Sequence, residues 1–423
     1  MKLLVYFFGL LLAFSSCSSS KNAVARLQLE GEPTAKTVMS VTGSTLTANS
    51  TISWQIGTSK EGPWKTLPGI QSKEIVLLTD YANKFLRCEV VSTQNGQTKT
   101  ASVTTTTPVQ LKGNPNTDWF KDAGLGLMVH YLKVVYSPEG GSNEWNQAVN
   151  SFDAERFAAD CEQAGVNYVM FALGQNDGYY CSPNAAYDSI VGIAPGVLCS
   201  KRDLPMDLIN SLEKRGIKML FYLPGNPAHS NKISVPKFQY SYGKDTPTSQ
   251  YTQERLEAVI REWSLRYGSK LWGWWFDGMY RSGIIQTRSD MSLRYNISTH
   301  TLAAKAGNPR SIVTYNYGVN KIQTNSPYDD YSAGEENHIV QLPTGRWVEE
   351  GVQWFHFTHL GSTWAKPGTQ FQTADLTSWA EKVFQKEGVL CFDVHVKGSG
   401  AIDPEQIAQL KAVSTVFKKV KKH

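Results

Sequence analysis

Cysteine is scarce in this chain: 6 residues in 423, with no two of them closely spaced. That excludes a zinc ribbon or finger. With Cys17 set apart, the remaining Cys88, Cys161, Cys181, Cys199 and Cys391 are odd in number and make no disulfide framework. Cys181 and Cys199 flank one loop, and an oxidising compartment would allow them to pair; the sequence leaves this open. Cys161 and Cys391 fall in apolar periodic segments and read as buried thiols. A phosphate-binding loop and a dinucleotide fingerprint are both missing. His356, His359 and His395 lack the tight spacing of metal ligands, so no cofactor and no metal are expected. Charge of one sign is not in excess either, with 42 basic against 37 acidic residues. The one dense basic run, Lys418-Lys419-Val420-Lys421-Lys422, reads as a solvated helix end, so no nucleic-acid partner is expected.

Aromatic residues are plentiful: 12 Trp, 19 Tyr and 17 Phe make up 11% of the chain. Such a surplus serves a large core and also the walls of a sugar-binding cleft. At the start, Lys2 precedes the apolar run Leu3 to Phe14, too short to span a bilayer and the right length for a secretory h-region. Ser15 and Ser16 lead into Cys17 and then Ser18-Ser19-Ser20, which resembles a bacterial lipobox, where the Cys becomes the lipidated N-terminus. The expectation is a signal peptide and tether over residues 1–23, with Cys17 carrying a lipid anchor. The exported chain would then sit at the bacterial cell envelope, in the periplasm or on the outer surface.

Residues 24–109 alternate short β-type runs with Gly, Ser, Thr and Asn turns. Thr51-Ile52-Ser53-Trp54-Gln55-Ile56 and Lys84-Phe85-Leu86-Arg87-Cys88-Glu89-Val90 read as half-buried strands of period two. With Trp54, Cys88 and Asp80-Tyr81 in these places, the segment resembles a bacterial immunoglobulin-like sandwich, in which a strand-borne Trp fills the space between the sheets. A spacer or surface-binding module without catalytic residues is expected, and not a wall of any cleft.

From residue 113 to 423 strands alternate with helices, which implies parallel strands with helical crossovers. Eight candidates appear: Gly124–Tyr131, Asn167–Gly174, Ile217–Gly225, Leu271–Gly278, Ser311–Gly318, a short weak one near Asp330–Glu335, Val352–His359 and Val389–Val396. Gln253–Tyr267 and Pro404–Val420, the latter capped by Asp403, read as amphipathic helices. The fold class is α/β: a (β/α)8 TIM-like barrel preceded by a small all-β sandwich, with a doubly wound sheet as the main rival. In a barrel the active site lies at the C-terminal ends of the strands. Those ends carry His130-Tyr131, Gly174-Gln175-Asn176-Asp177-Gly178-Tyr179-Tyr180, Asn226 with His229, Asp277, Asn316, Glu335-Glu336, His356 and His359 with Trp364, and Asp393 with His395. Asp277 stands out, because Leu271-Trp272-Gly273-Trp274-Trp275-Phe276 delivers a carboxylate from an almost wholly apolar strand onto Gly278. Such a group is costly to desolvate unless it is paired or used.

Trp119-Phe120 with Gly124-Leu125-Gly126-Leu127-Met128-Val129-His130 is similar to the opening barrel strand of family 29 glycoside hydrolases, the α-L-fucosidases. Phe152-Asp153-Ala154-Glu155-Arg156-Phe157-Ala158 and Ala164-Gly165-Val166-Asn167-Tyr168-Val169 resemble that family's first helix and second strand, and Trp275-Phe276-Asp277-Gly278 its nucleophile motif. The resemblance covers most of 114–423. It implies an exo-acting, retaining hydrolase acting on a carbohydrate substrate, with Asp277 as nucleophile and His130 contacting sugar hydroxyls. A Glu after strand six is one family placement of the acid/base, which suggests Glu335, with Glu336 as fallback and Asp177 as a third candidate. Gln175, Asn176, Tyr180, Asn226, Asn316 and Trp364 are the expected substrate-binding residues. Tyr131, Tyr179, Trp274 and Trp354 are further aromatics whose ordinary explanation is barrel packing. The histidine pair that binds fucose in the family is replaced here by Gln175 and Asn176, which puts a strict L-fucose pocket in question. No counterpart of the family's C-terminal β-sandwich is expected within 113–423, whose last element reads as a barrel helix. A non-catalytic glycan-binding lipoprotein with a degenerate barrel is the alternative from another class, and an inverting hydrolase a third reading.

Overall fold

The computed structural model describes residues 27–422 apart from 95, 242, 244, 245 and 281. The expected signal segment and lipidation site Cys17 therefore lie outside the described residues. The first seven strands are β1 (Gln28–Glu30), β2 (Val38–Thr42), β3 (Thr51–Gly57), β4 (Lys65–Thr66), β5 (Glu74–Val76), β6 (Phe85–Gln94) and β7 (Gln97–Thr104). They form two antiparallel sheets, ordered β1-β2-β5 and β4-β3-β6-β7. Alternation along β3 turns Ile52 and Trp54 inward. Trp54 is fully buried opposite Cys88 of β6, and its indole N–H donates to Ser72 O at 2.9 Å.

The remaining strands are β8 (Leu125–Val129), β9 (Tyr168–Ala172), β10 (Lys218–Pro224), β11 (Leu271–Asp277), β12 (Ile312–Tyr315), a hairpin of β13 (Trp347–Glu349) and β14 (Val352–Gln353), β15 (Phe355–His359) and β16 (Val389–Asp393). Seven of them make one curled parallel sheet, ordered β12-β11-β10-β9-β8-β16-β15. Chain neighbours lie side by side and β8 pairs with the last strand, β16. A doubly wound sheet, whose strand order reverses at a switch point, does not have this order. The last helix begins where the sequence supplies a cap: Asp403 accepts from the N–H groups of Glu405 and Gln406 at the start of Pro404–Val420.

Both faces of the parallel sheet are covered, which is why its strands are near-continuous apolar runs. Parity sorts them. Met128, Met170, Leu220, Tyr222, Trp275, Ile312, Phe357 and Cys391 gather inside the barrel. Their neighbours Leu127, Val169, Phe221, Trp274, Val313 and Phe392 pack outward against the helices.

The sixth strand differs from expectation. Residues 329–336 occupy its place between β12 and β15 without forming a regular strand. Asp330 N donates to Val313 O at 2.8 Å on one side. On the other, Ser332 N reaches Gln353 O at 3.0 Å and Glu336 N reaches Phe357 O at 2.8 Å. Isolated bridges join Tyr331 to Gln353 and Glu335 to Phe357. The ladder is interrupted because Gly334 turns at φ 62°, where a Cβ would come within 2.0 Å of Phe355 O. Buried polar contacts take over the work of the missing ladder. Asp330, 1% exposed, accepts from Lys305 Nζ at 2.7 Å, Val313 N at 2.9 Å and Asn114 Nδ2 at 2.8 Å.

A question left open by the sequence is answered, and one further expectation is corrected. Cys181 and Cys199 are both buried and free, the former seated against Ala172 O at 3.6 Å. The N-terminal sheets are not held off the barrel as a spacer would be. Asn296 Nδ2 donates to Gly69 O at 3.2 Å, and Lys36 reaches into the sixth-strand segment.

Lys305 and Asp330 are almost completely buried, so removing one partner strands a charge in a dry site. Lys305→Ala is expected to cost about 3–5 kcal/mol of stability, read as a lowered urea midpoint. An unchanged midpoint would show that the segment is held by other contacts.

Candidate active site

Strand parity places the polar residues at the C-terminal mouth of the barrel. Trp275 points inward, so Asp277, two residues later, does also; the same holds for His130 after Met128 and for Asp393 after Cys391. Pairing of Phe276 with Tyr315 sets Asn316 beside Asp277. In the sixth segment Tyr331 and Ala333 face the interior cluster, and Glu335 follows in the same alternation.

Four hydrogen bonds tie the centre together. Asp277 Oδ1 accepts from Gly278 N at 2.7 Å and from Asn316 Nδ2 at 3.0 Å. Asp277 Oδ2 accepts from the Tyr222 hydroxyl at 2.5 Å. The same Asn316 nitrogen donates to Glu335 Oε2 at 2.5 Å. The two carboxylate oxygens are therefore no farther apart than those two Asn316 bonds laid end to end. Gln175 Nε2 donates to the Tyr222 oxygen at 2.7 Å, which extends the chain of donors from Gln175 through Tyr222 to Asp277. Gly278, at φ 77°, makes the turn behind the carboxylate, where a Cβ would meet Asn226 Oδ1 at 2.7 Å.

The two acids differ in their surroundings. Asp277 has three donors, whereas Glu335 has the Asn316 amide alone among the bonds described. Burial first, and then the neighbouring charge of Asp277, push the Glu335 carboxyl up to about 7, against the pull of Asn316 and His130. His130 Nδ1 pairs with Asp393 Oδ1 at 2.7 Å. Burial, the strongest influence on this imidazole, would lower its pKa. Asp393, Asp277 and Glu335 together overcome that and hold it above the ordinary value. Asp393 is in turn fixed by Ala365 N at 2.5 Å, in the loop that carries Trp364. Trp364 is half-buried, its ring centroid 5.5 Å from that of His130 and 4.8 Å from that of His359.

Asp277, Glu335, His130, Gln175, Asn316 and Trp364 are thus brought together. Tyr180 is not: its ring is buried on the helical side of the sheet, between Tyr187 and Trp263 at 5.0 and 5.1 Å, where it fills core volume. Asn226 is 7% exposed, donates to Pro227 O at 3.0 Å and packs under the Asp277-Gly278 turn, so it supports the site and does not line it. Asn176 lies half-buried in the loop after β9, its carbonyl accepting from Ser230 N at 2.9 Å. Glu336 has outward parity and faces His356 Nε2 at 3.1 Å, which removes it as the fallback acid. Asp177 caps its own turn at Tyr179 N, 3.2 Å away. Tyr131, Trp274 and Trp354 are buried packing residues, as expected of them. Among the described residues no group of three or more His, Cys, Asp or Glu side chains is arranged to hold a metal ion. A cavity of about 670 Å³ lies away from this cluster, between Gln71 and the helix Gln250–Tyr267.

Tyr222 was missed in the sequence, and Asp393 was noted at its strand end without a role. Tyr222 sits inside an apolar strand and carries no local mark beyond its hydroxyl. Asp393 has the same signature as Asp277, an acid ending an apolar strand, and its partnership with His130 required the β8–β16 pairing.

A family model described as Alpha-L-fucosidase matches residues 145–421; β8 and His130 precede the matched stretch. No curated protein matches the chain significantly. Among solved structures, the endo-fucoidan hydrolase MfFcnA9 from glycoside hydrolase family 107 superposes with a TM-score of 0.57 at 14% identity, over 72% of this chain and 64% of that one. An alpha-L-fucosidase GH29 from Bacteroides thetaiotaomicron gives 0.52 at 15% identity, over 73% and 75%. Endo-fucoidan hydrolase P5AFcnA gives 0.54 at 12%, over 72% and 93%. This chain thus spans less than two thirds of the length of MfFcnA9. At these identities the likeness is one of fold.

Because Asp277 contributes to the raised pKa of Glu335, Asp277→Asn is expected to bring the Glu335 titration down from about 7 while burial keeps it above the ordinary carboxylate value. Carbon-detected NMR of labelled glutamate checks this, and an unmoved titration would mean the two acids do not sense each other.

Proposed function

Since the chain belongs to the alpha-L-fucosidase family of glycoside hydrolases, we propose that it is a retaining, exo-acting glycosidase. It removes an α-L-fucosyl or closely related terminal sugar from glycan or polysaccharide ends, with Asp277 as nucleophile and Glu335 as acid/base. One observation carries the reading: the single Asn316 nitrogen bonded to both carboxylates. It fits the ~5–5.5 Å separation of a retaining pair, since an inverting pair needs room for a water, roughly 6.5–9.5 Å.

In this mechanism Asp277 attacks the anomeric carbon as the glycosidic C–O bond breaks, and Glu335 gives its proton to the departing oxygen. Glu335, now a carboxylate, then takes a proton from water as that water attacks the anomeric carbon and releases Asp277. Tyr222, Asn316 and Gly278 N hold the nucleophile in place through the first step. His130, fixed by Asp393, would donate to a sugar hydroxyl, and Trp364 would cover an apolar face of the ring. A glycan-binding site without catalysis has no use for a carboxyl poised near neutrality beside a second acid, which disfavours the non-catalytic alternative.

The same proposal takes residues 1–23 as an export signal with a lipid at Cys17, 24–109 as an immunoglobulin-like module and 113–423 as the catalytic barrel. The buried Trp54 between two antiparallel sheets supports the second of these.

Asp277→Ala should abolish turnover of aryl α-L-fucosides with the fold intact, and azide should restore release of the aglycone. A variant with normal turnover would exclude Asp277 as nucleophile. A 2-fluoro sugar should leave a covalent adduct on Asp277; an unmodified protein would favour inversion.

Glu335 must be protonated to assist departure of a poor leaving group. The kcat/KM for such substrates is therefore expected to fall as pH rises through about 7. A profile flat through that range would reject Glu335 as the acid.

A further inference from the structure

The irregular sixth segment carries Glu335, and part of what holds it comes from outside the barrel. Lys36 lies in the turn between β1 and β2 of the N-terminal sheets, 2% exposed and at φ 71°, an unusual backbone conformation for a lysine. Its ammonium donates to Pro327 O at 3.0 Å and to Asp329 O at 2.9 Å. The turn itself is clamped from two directions: Lys36 N donates to Leu77 O at 2.6 Å, and Asn116 Nδ2 donates to Lys36 O at 2.9 Å.

Two consecutive buried carboxyl groups, Asp329 and Asp330, lie near enough to Lys36 to act on its charge, although its hydrogen bonds go to main-chain carbonyls. Asp329 is fully buried and takes Asn325 N at 2.7 Å, Ser326 N at 2.8 Å and Tyr315 N at 3.2 Å, shaping the loop that leads into the segment. Asp330 takes Lys305 and Asn114. Lys36 and Lys305 face Asp329 and Asp330, with Glu349 the other acid near Lys36. Burial pushes the Asp329 carboxyl up to about 7 and lowers the Lys36 ammonium from its ordinary value, and the hydrogen bonds of that ammonium go to the two carbonyls. Removing Lys36 would leave those carbonyls unpaired in a dry site, a strong reason for the backbone of 327–330 to move. Glu335 stands only a few residues further along a stretch with no regular ladder to absorb such a movement.

We propose that the N-terminal β-module is a working part of the active site, with Lys36 as a positioning residue that holds residues 327–330 and thereby sets where the Glu335 carboxyl stands. The proposal rests on the reading of Glu335 as acid/base. Lys36 touches no substrate; it acts through the segment.

The test uses the full chain and two substrates that differ only in their need for an acid: phenyl and 2,4-dinitrophenyl α-L-fucoside. Lys36→Met should lower kcat/KM on the phenyl glycoside, which reports the acid-assisted first step, on the order of tenfold or more, a fraction of the ~10²–10⁴ that a positioned acid contributes. The kcat/KM on the dinitrophenyl glycoside, whose leaving group needs no proton, should barely move. Lys36→Arg should restore most of the loss. If Lys36→Met does not fold, Asn116→Ala loosens the same turn without removing a charge and should show the same split between substrates, in smaller degree. Equal losses on both substrates, or none, in whichever variant folds would overturn the proposal and leave Glu335 in its role. A wild-type chain that hydrolyses neither glycoside, nor any other in a panel of arylglycosides, would remove the hydrolase reading itself and this proposal with it.

Discussion

One side-chain nitrogen, Asn316 Nδ2, lies between two carboxylates at the mouth of the barrel and donates a hydrogen bond to each. Like charges this close in a partly dry site repel strongly, and a shared donor offsets part of that cost while fixing their separation. Asn316 can do this because it is itself fully buried and pinned on the other side, its Oδ1 accepting from Gly318 N at 3.0 Å and its backbone bonded to Phe276 O and Met279 N. The geometry of the site thus comes from the sheet: β11 and β12 run in register, and the residues that end them cannot separate without breaking the ladder.

The difference between the two acids follows from what surrounds each. Tyr222, Asn316 and Gly278 N converge on Asp277, and Gln175 holds the tyrosine oxygen. Glu335 shares only the asparagine, is more buried than hydrated, and looks across at the charge of Asp277. Two carboxyl groups of similar intrinsic acidity are thereby given different tasks by their environments, one suited to attack and the other to carrying a proton. Gln175 takes on a meaning that its position after β9 did not suggest: its amide serves the hydrogen-bond chain to Asp277, whatever else it contacts.

The sixth strand is where the barrel departs most from regularity, and the departure coincides with the proposed acid. A regular ladder would hold every residue at its register and leave little choice of where a side chain points. Here Gly334 breaks the ladder, and the segment is held by two lysines, two aspartates and Asn114. One of those lysines comes from the N-terminal sheets. Irregular backbone at a functional site is generally secured by its surroundings; in this chain the surroundings include a second body of structure.

The seven regular strands of the parallel sheet, the place of the sixth segment, the capped last helix and the exit of Asp277 from its apolar strand were legible in the sequence because each is a local pattern: a short apolar run bounded by turns, an Asp-Pro helix start, an acid set against a glycine. Tyr180 and Asn226 were misread because a strand-end position says nothing about which side of the sheet a loop returns to. Tyr222 was passed over, and Asp393 noted without a role, because their partners lie 55 and 263 residues away. The sequence by itself determined which residues alternate, where strands end and which acids emerge there. Only the tertiary structure decided which of these share a hydrogen-bond donor, how deeply Glu335 is buried, and that Lys36 reaches the sixth segment. Periodicity is a property of neighbours along the chain, whereas desolvation and charge pairing depend on distances that only the closed barrel sets.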